Sequence, residues 1–301
     1  MRAHACAAGG TITSSGAGPG AGGPYFDPST RQERNASAPG TRCSMIAGIS
    51  ASSTSPVRPS RRCGTRRCAA QFVDMLPAML GSEDDASDFV PRHPTVAAAQ
   101  RRVPHLRLGR TGLVLEALIP AIIEQRVPGA DAFRSWRVLV SKYGTPAPGP
   151  APERMMVPPS AQAWRSIPSW EFHRANVDPR RAQTVVTCAR RAASLERLVS
   201  RPAAQARAAL TSLPGVGEWT AAETAQRAFG DADAVSVGDY HIPKMVGWTL
   251  LGRPVDDAGM LELLEPMRPH RQRVVRLLEA SGLAREPRRG PRLPVQQIHS
   301  L

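Results

Sequence analysis

From about Thr111 onward the apolar residues recur at helical spacing. Leu115, Leu118, Ile119, Ile122 and Ile123 fall on one face of a helix that Pro128 ends, and Phe133, Trp136, Leu139, Val140 and Tyr143 mark the next. The stretch TPAPGPAPERMMVPPS (145–160) reads as a loop. Beyond it, Asp178-Pro179 is an N-cap followed by a first-turn proline, opening a helix over RRAQTVVTCARRA. Ser200 with Pro202 opens another over AAQARAALTS, EWTAAETAQRAFG forms the next, and Val274, Val275, Leu277 and Leu278 lie on a last amphipathic helix over roughly 270–280. A strand-like alternation is nearly absent after Thr111, so the expected fold class is all-α.

The earlier part of the chain differs. Residues 1–70 are Gly, Ala, Ser, Pro and Arg with little periodicity and are expected to be disordered, or to be an artefact of an upstream start codon or a shifted reading frame. The expected division is 1–70 low complexity, 71–104 a linker or the remnant of an N-terminal domain, 105–283 the folded helical domain and 284–301 a basic tail.

Charge sharpens the picture. A net +14 over 301 residues predicts a polyanionic partner, with nucleic acid first. Residues 1–70 hold nine Arg against Asp27 and Glu33, so half of the excess lies there. Only Lys142 and Lys244 are lysines, an Arg preference that a GC-rich genome would also produce. The longest apolar run, Val114–Ile123, is broken by Glu116 and falls far short of the roughly 20 residues of a membrane span. With no continuous apolar segment near Met1, no export and no membrane partner are expected. The five scattered cysteines suit a reducing cytoplasm, and Cys63 and Cys68 have no second Cys or His pair at a distance that would complete a zinc site. No metal is expected.

The chemistry concentrates in LPGVGEWTA (213–221), where a tight turn joins two helices. Gly215 and Gly217 are expected to adopt positive φ and to let the turn approach a surface closely, with free amides at the start of the second helix facing a phosphate. An isolated PGVG is also an ordinary helix-to-helix connection. Twenty-two residues past Gly217, Asp239 lies in AVSVGDYHIPKMV, where it reads as an N-cap for a helix starting at Tyr240, a carboxylate at a cleft edge, or both.

Hairpin and aspartate together resemble the helix-hairpin-helix DNA glycosylase superfamily, most closely the 3-methyladenine DNA glycosylase II type. The likeness extends loosely over 105–283, where Glu124-Gln125 in AIIEQRV matches an early family helix and Gly238 replaces an acidic residue that some relatives carry. It implies two helical subdomains with a cleft between them and catalysis by Asp239. Leu213, Gly215, Val216, Gly217, Thr220 and Lys244 would bind DNA, and Trp219, Tyr240, Trp248 and Gln125 would wall the base pocket. Arg126 would be the wedge that fills the gap left by the flipped base. Trp219 stands where strand-cutting relatives place a Schiff-base lysine, which implies a monofunctional enzyme; core packing is its other reading. His241 fits a packing or phosphate contact better than a base. The N-terminal mixed α/β domain that relatives often carry is not recognisable in 1–100.

The implied partner is duplex DNA with damaged bases, met by a monomer in the cytoplasm at the nucleoid, without metal or organic cofactor. Alkylated purines would be the substrate, since a cationic base leaves easily and stacks on an aromatic ring. The rival readings are a non-enzymatic hairpin protein that only binds DNA, and a glycosylase for mispaired or deaminated bases.

Overall fold

The computed structural model describes residue 70 and residues 72–285. The expectations for 1–69, disorder and no zinc at Cys63 and Cys68, therefore lie outside the described residues, as does most of the basic tail.

Residues 72–79 are helical. They are followed by α1 (Pro94–Arg102), α2 (Val114–Ile123), α3 (Gly129–Tyr143), β1 (Thr145–Pro146), β2 (Met156–Val157), α4 (Ala161–Ser166), α5 (Ser169–Arg174) and α6 (Pro179–Arg190). Then come α7 (Ala192–Glu196), α8 (Ala203–Thr211), α9 (Glu218–Ala228), α10 (Ile242–Leu251), α11 (Asp257–Leu264) and α12 (Arg271–Ala280). The fold is all-α: the two strands form one short antiparallel ribbon, Thr145 opposite Val157, that closes the 145–160 loop. Among the described residues no helix is long and apolar enough to cross a membrane.

Two apolar cores give two helical subdomains. The first is built around α2, which buries every residue but Glu116 and so runs through the centre instead of presenting one apolar face. α6 and α9 pack along it. Its opening amides, Val114 and Leu115, each donate at 2.9 Å to the Glu196 carboxylate of α7, a cap supplied from across the fold. Pro128 does not stop α2, which ends at Ile123; it is the N-cap of α3. Asp178 caps α6 as expected, accepting from the amides of Arg180 and Arg181. Cys188 is fully buried in this core, and burial pushes its thiol up to about 12, so it is inert.

The second core joins Ile242, Met245, Val246, Met260, Leu264, Val274, Val275, Leu277 and Leu278 to Phe89, Val96 and Ala99. Part of the segment 71–104, expected as a linker or the remnant of an N-terminal domain, thus packs into this core. α1 packs against α12, and Asp84 pairs with Arg273 while accepting the Leu108 amide at 2.9 Å. His270 bonds Asp88 at 2.7 Å and meets the Phe89 ring edge-on at 5.3 Å. The segment has no strong period of its own because it contributes few apolar positions and is held largely by charge.

Candidate active site

The hairpin joins α8 to α9. Leu213 and Val216 are buried in the first core and seat the turn by their side chains, leaving its backbone to face outward. Gly215 has φ +83°, and a Cβ there would stand 2.1 Å from the Thr184 hydroxyl of α6, so glycine is required twice over. Gly217 departs from expectation: its φ is −91°, it is the N-cap of α9, and nothing lies within 4 Å of its missing Cβ. It keeps open space above the turn, not an unusual dihedral.

Gln125, expected to wall the base pocket, is committed to the hairpin. Its amide nitrogen donates to the Gly215 carbonyl at 2.9 Å and to the Thr220 hydroxyl at 2.8 Å. Thr220 is itself buried, so it serves this clamp and its side chain is not free for DNA. Arg126, the next residue, is exposed at a positive φ of 54°. A bulky residue held there is strained, and such strain collects at functional sites.

Asp239 lies in the loop between Val235 and Ile242, both residues of the second core. One oxygen, Oδ1, accepts the amides of His241 at 2.8 Å and Ile242 at 3.0 Å, capping α10, which begins at Ile242 and not at Tyr240. The other, Oδ2, accepts the indole N–H of Trp219 at 3.1 Å. Asp239 thus caps the helix, as one of its two readings expected, and the half-buried Trp219 is a neighbour of the carboxylate, not core filling.

α9 grips the loop before Asp239 in a way the sequence did not announce. Residues 219, 223 and 226 share one face of the helix. Below the Trp219 contact, Glu223 accepts the Ser236 hydroxyl at 2.6 Å, and Gln226 donates to the Ala234 carbonyl at 2.9 Å and to Ser236 at 2.8 Å. Arg227 pairs with Glu223 at 2.8 Å. A polar face in an alanine-rich helix was the only sequence signal, and it reads equally as a solvated surface.

Tyr240 is exposed beside Asp239, edge-on to His241 at 4.9 Å, with the Lys244 ammonium 3.9 Å above its ring. Trp248 is half-buried one turn beyond Lys244, and among the described residues no hydrogen bond joins it to Asp239. Lys142 is held in the first subdomain by Glu171, whose hydrogen bond raises the ammonium above its usual range. Among the described residues no group of three or more His, Cys, Asp or Glu is placed to hold a metal ion.

No protein-family model matches the chain, and no curated protein matches it. Solved structures do. The 3-methyladenine DNA glycosylase of Archaeoglobus fulgidus superposes with a TM-score of 0.60 at 19% identity, over 72% of this chain and 76% of that one. The 8-oxoguanine glycosylase/lyase of Clostridium acetobutylicum, bound to double-stranded DNA with cytosine opposite 8-oxoguanine, gives 0.57 at 15% identity, over 71% and 76%. The fold is that of the helix-hairpin-helix DNA glycosylases. The apo form of the clostridial enzyme matches at 0.53 and 16% identity, over 62% of this chain and 66% of its own. Residues 84–102, which lacked a recognisable pattern, belong to the two-core body that carries this fold.

Proposed function

We propose that the chain is a monofunctional DNA glycosylase that excises alkylated purines from duplex DNA. The observation that supports this reading is the Trp219 Nε1 to Asp239 Oδ2 hydrogen bond of 3.1 Å, which joins the helix after the hairpin to the loop that carries the carboxylate.

On this reading the outward amides of Gly217 and Glu218 hold a backbone phosphate while the damaged nucleotide rotates out of the stack, at a cost of a few kcal/mol. Arg126 fills the space it leaves. Three N–H donors fix the Asp239 carboxylate, so its negative charge is in place when the sugar becomes oxocarbenium-like and no reorganisation is needed. The same carboxylate orients the attacking water and takes its proton. Trp219 offers an electron-rich face to a cationic base, worth roughly 0.5–2 kcal/mol, and Tyr240 only the face that Lys244 does not cover. An indole nitrogen cannot form a Schiff base, so the hairpin has no lyase nucleophile.

The test is release of labelled bases from duplexes carrying methylated purines, uracil or 8-oxoguanine, with native chain and Asp239→Asn. Methylated purine release that falls at least about 100-fold in the variant, with duplex affinity within a few-fold, is expected. Preferential release of uracil or 8-oxoguanine would replace the substrate assignment, and no release from any duplex would leave a binding protein.

A further inference from the structure

Arg180 stands in the first turn of α6, and among the described residues its guanidinium has no ion pair or hydrogen bond. It shares a helix face with Thr184, one turn later, and the Thr184 hydroxyl donates to the Arg180 carbonyl at 2.9 Å. Thr184 is the residue against which Gly215 packs so closely that no Cβ fits between them. Helical side chains lean toward the N-terminus, so Thr184 reaches back over the turn it shares with Arg180 and Gly215 packs there, while the Arg180 stem runs on from that contact toward the start of α6. The Gln125 amide grips the carbonyl of the same Gly215, and Arg126 is the next residue along the chain. Two exposed arginines, Arg180 on α6 and Arg126 in the loop after α2, thus lie next to residues that hold the one turn expected to meet DNA.

The neighbouring charges leave Arg180 free. Asp178 gives Oδ1 to the backbone amides of Arg180 and Arg181, and its other oxygen to the Arg181 guanidinium. Arg181 is buried and donates further to the carbonyl of Ile123 at 2.6 Å. The start of α6 is therefore already capped, and Asp178 is already neutralised. The Arg180 guanidinium has no ion pair or side-chain hydrogen bond among the described residues. A cation in the first turn of a helix works against the helix dipole, so this placement does not serve the helix itself.

We propose that Arg180 is a further DNA contact, gripping the sugar–phosphate backbone beside the phosphate that the hairpin amides hold, so that the binding surface spans α6, the hairpin turn and the Arg126 loop. This rests on the reading of the chain as a duplex-binding glycosylase. Its planar fork suits a phosphate, and a phosphate contact carries no sequence preference.

The experiment measures duplex affinity against salt concentration for the native chain, Arg180→Ala, Arg180→Lys, Gly217→Val, and Arg101→Ala as an exposed control on α1 in the other core. Arg180→Ala is expected to weaken binding about 3–10-fold for any sequence and to reduce the slope of log affinity against log salt by about 1. Arg180→Lys should retain the slope, Arg101→Ala should match the native chain, and melting temperatures should stay unchanged. Native slope and affinity in Arg180→Ala, with binding still lost in Gly217→Val, would overturn the contact and leave the functional reading intact. A native chain that does not bind duplex at all would overturn that reading.

Discussion

Asp84 and Arg273 lie 189 residues apart and pair at 2.5 Å with both side chains only 3% exposed. The pair joins the segment before α1 to α12, and its members are otherwise satisfied, Asp84 by the Leu108 amide and Arg273 by the Asp85 carbonyl and the His270 ring. It is the bolt between the first described residues and the second core.

Removing one partner of such a pair strands the other charge away from water. Asp84→Ala is expected to cost about 3–5 kcal/mol of unfolding free energy. A Met pair at both positions should recover much of that loss, since apolar side chains of similar volume need no counter-charge. Urea unfolding of the three chains checks it: a single variant within about 1 kcal/mol of native would show that 84–102 is not integral to the core.

The two hairpin glycines should separate under substitution. Gly215→Ala forces a Cβ into the Thr184 hydroxyl at a φ of +83°, and should lower stability by roughly 1–3 kcal/mol. Gly217→Ala meets nothing within 4 Å, so its melting curve should stay near native while duplex affinity falls, because its methyl group stands where the phosphate approaches. Equal melting losses, or native affinity for Gly217→Ala, would contradict this division of labour.

The product should be an intact strand bearing an abasic site. Lys142 is kept protonated by Glu171, and Lys244 stands over the Tyr240 ring. Neither is at the Asp239 carboxylate, whose hairpin neighbour is an indole. Borohydride should trap no adduct on methylated duplex, and a denaturing gel run without alkali should show no nick. A trapped adduct that disappears in Lys244→Ala would reassign the enzyme as a lyase.

Much of this architecture is written locally in the chain. The apolar run of α2, the Asp178-Pro179 start of α6, the Pro-Gly-Val-Gly turn and Asp239 at the head of α10 were all legible, because a helix period, a cap or a tight turn depends on residues a few positions apart. The contact of Trp219 with Asp239 was not in the spacing: the resemblance implied that both belong to one site, and the fold supplies the hydrogen bond.

Contacts between distant segments were decided by the tertiary structure alone. Gln125 has the polarity of a pocket residue, and only the approach of Gly215, 90 residues later, shows that its donors are spent on the hairpin. Glu196 looks like a surface carboxylate until α2 brings two unsatisfied amides to it. Asp84 and Arg273 are indistinguishable in sequence from solvated charges, and Arg181 from its exposed neighbour Arg180. A charged or amide side chain carries the same hydrogen-bonding groups wherever it stands, so its role depends on which carbonyl, amide or counter-charge the fold delivers to it. Apolar periodicity, by contrast, determines the buried face of a helix before any partner arrives.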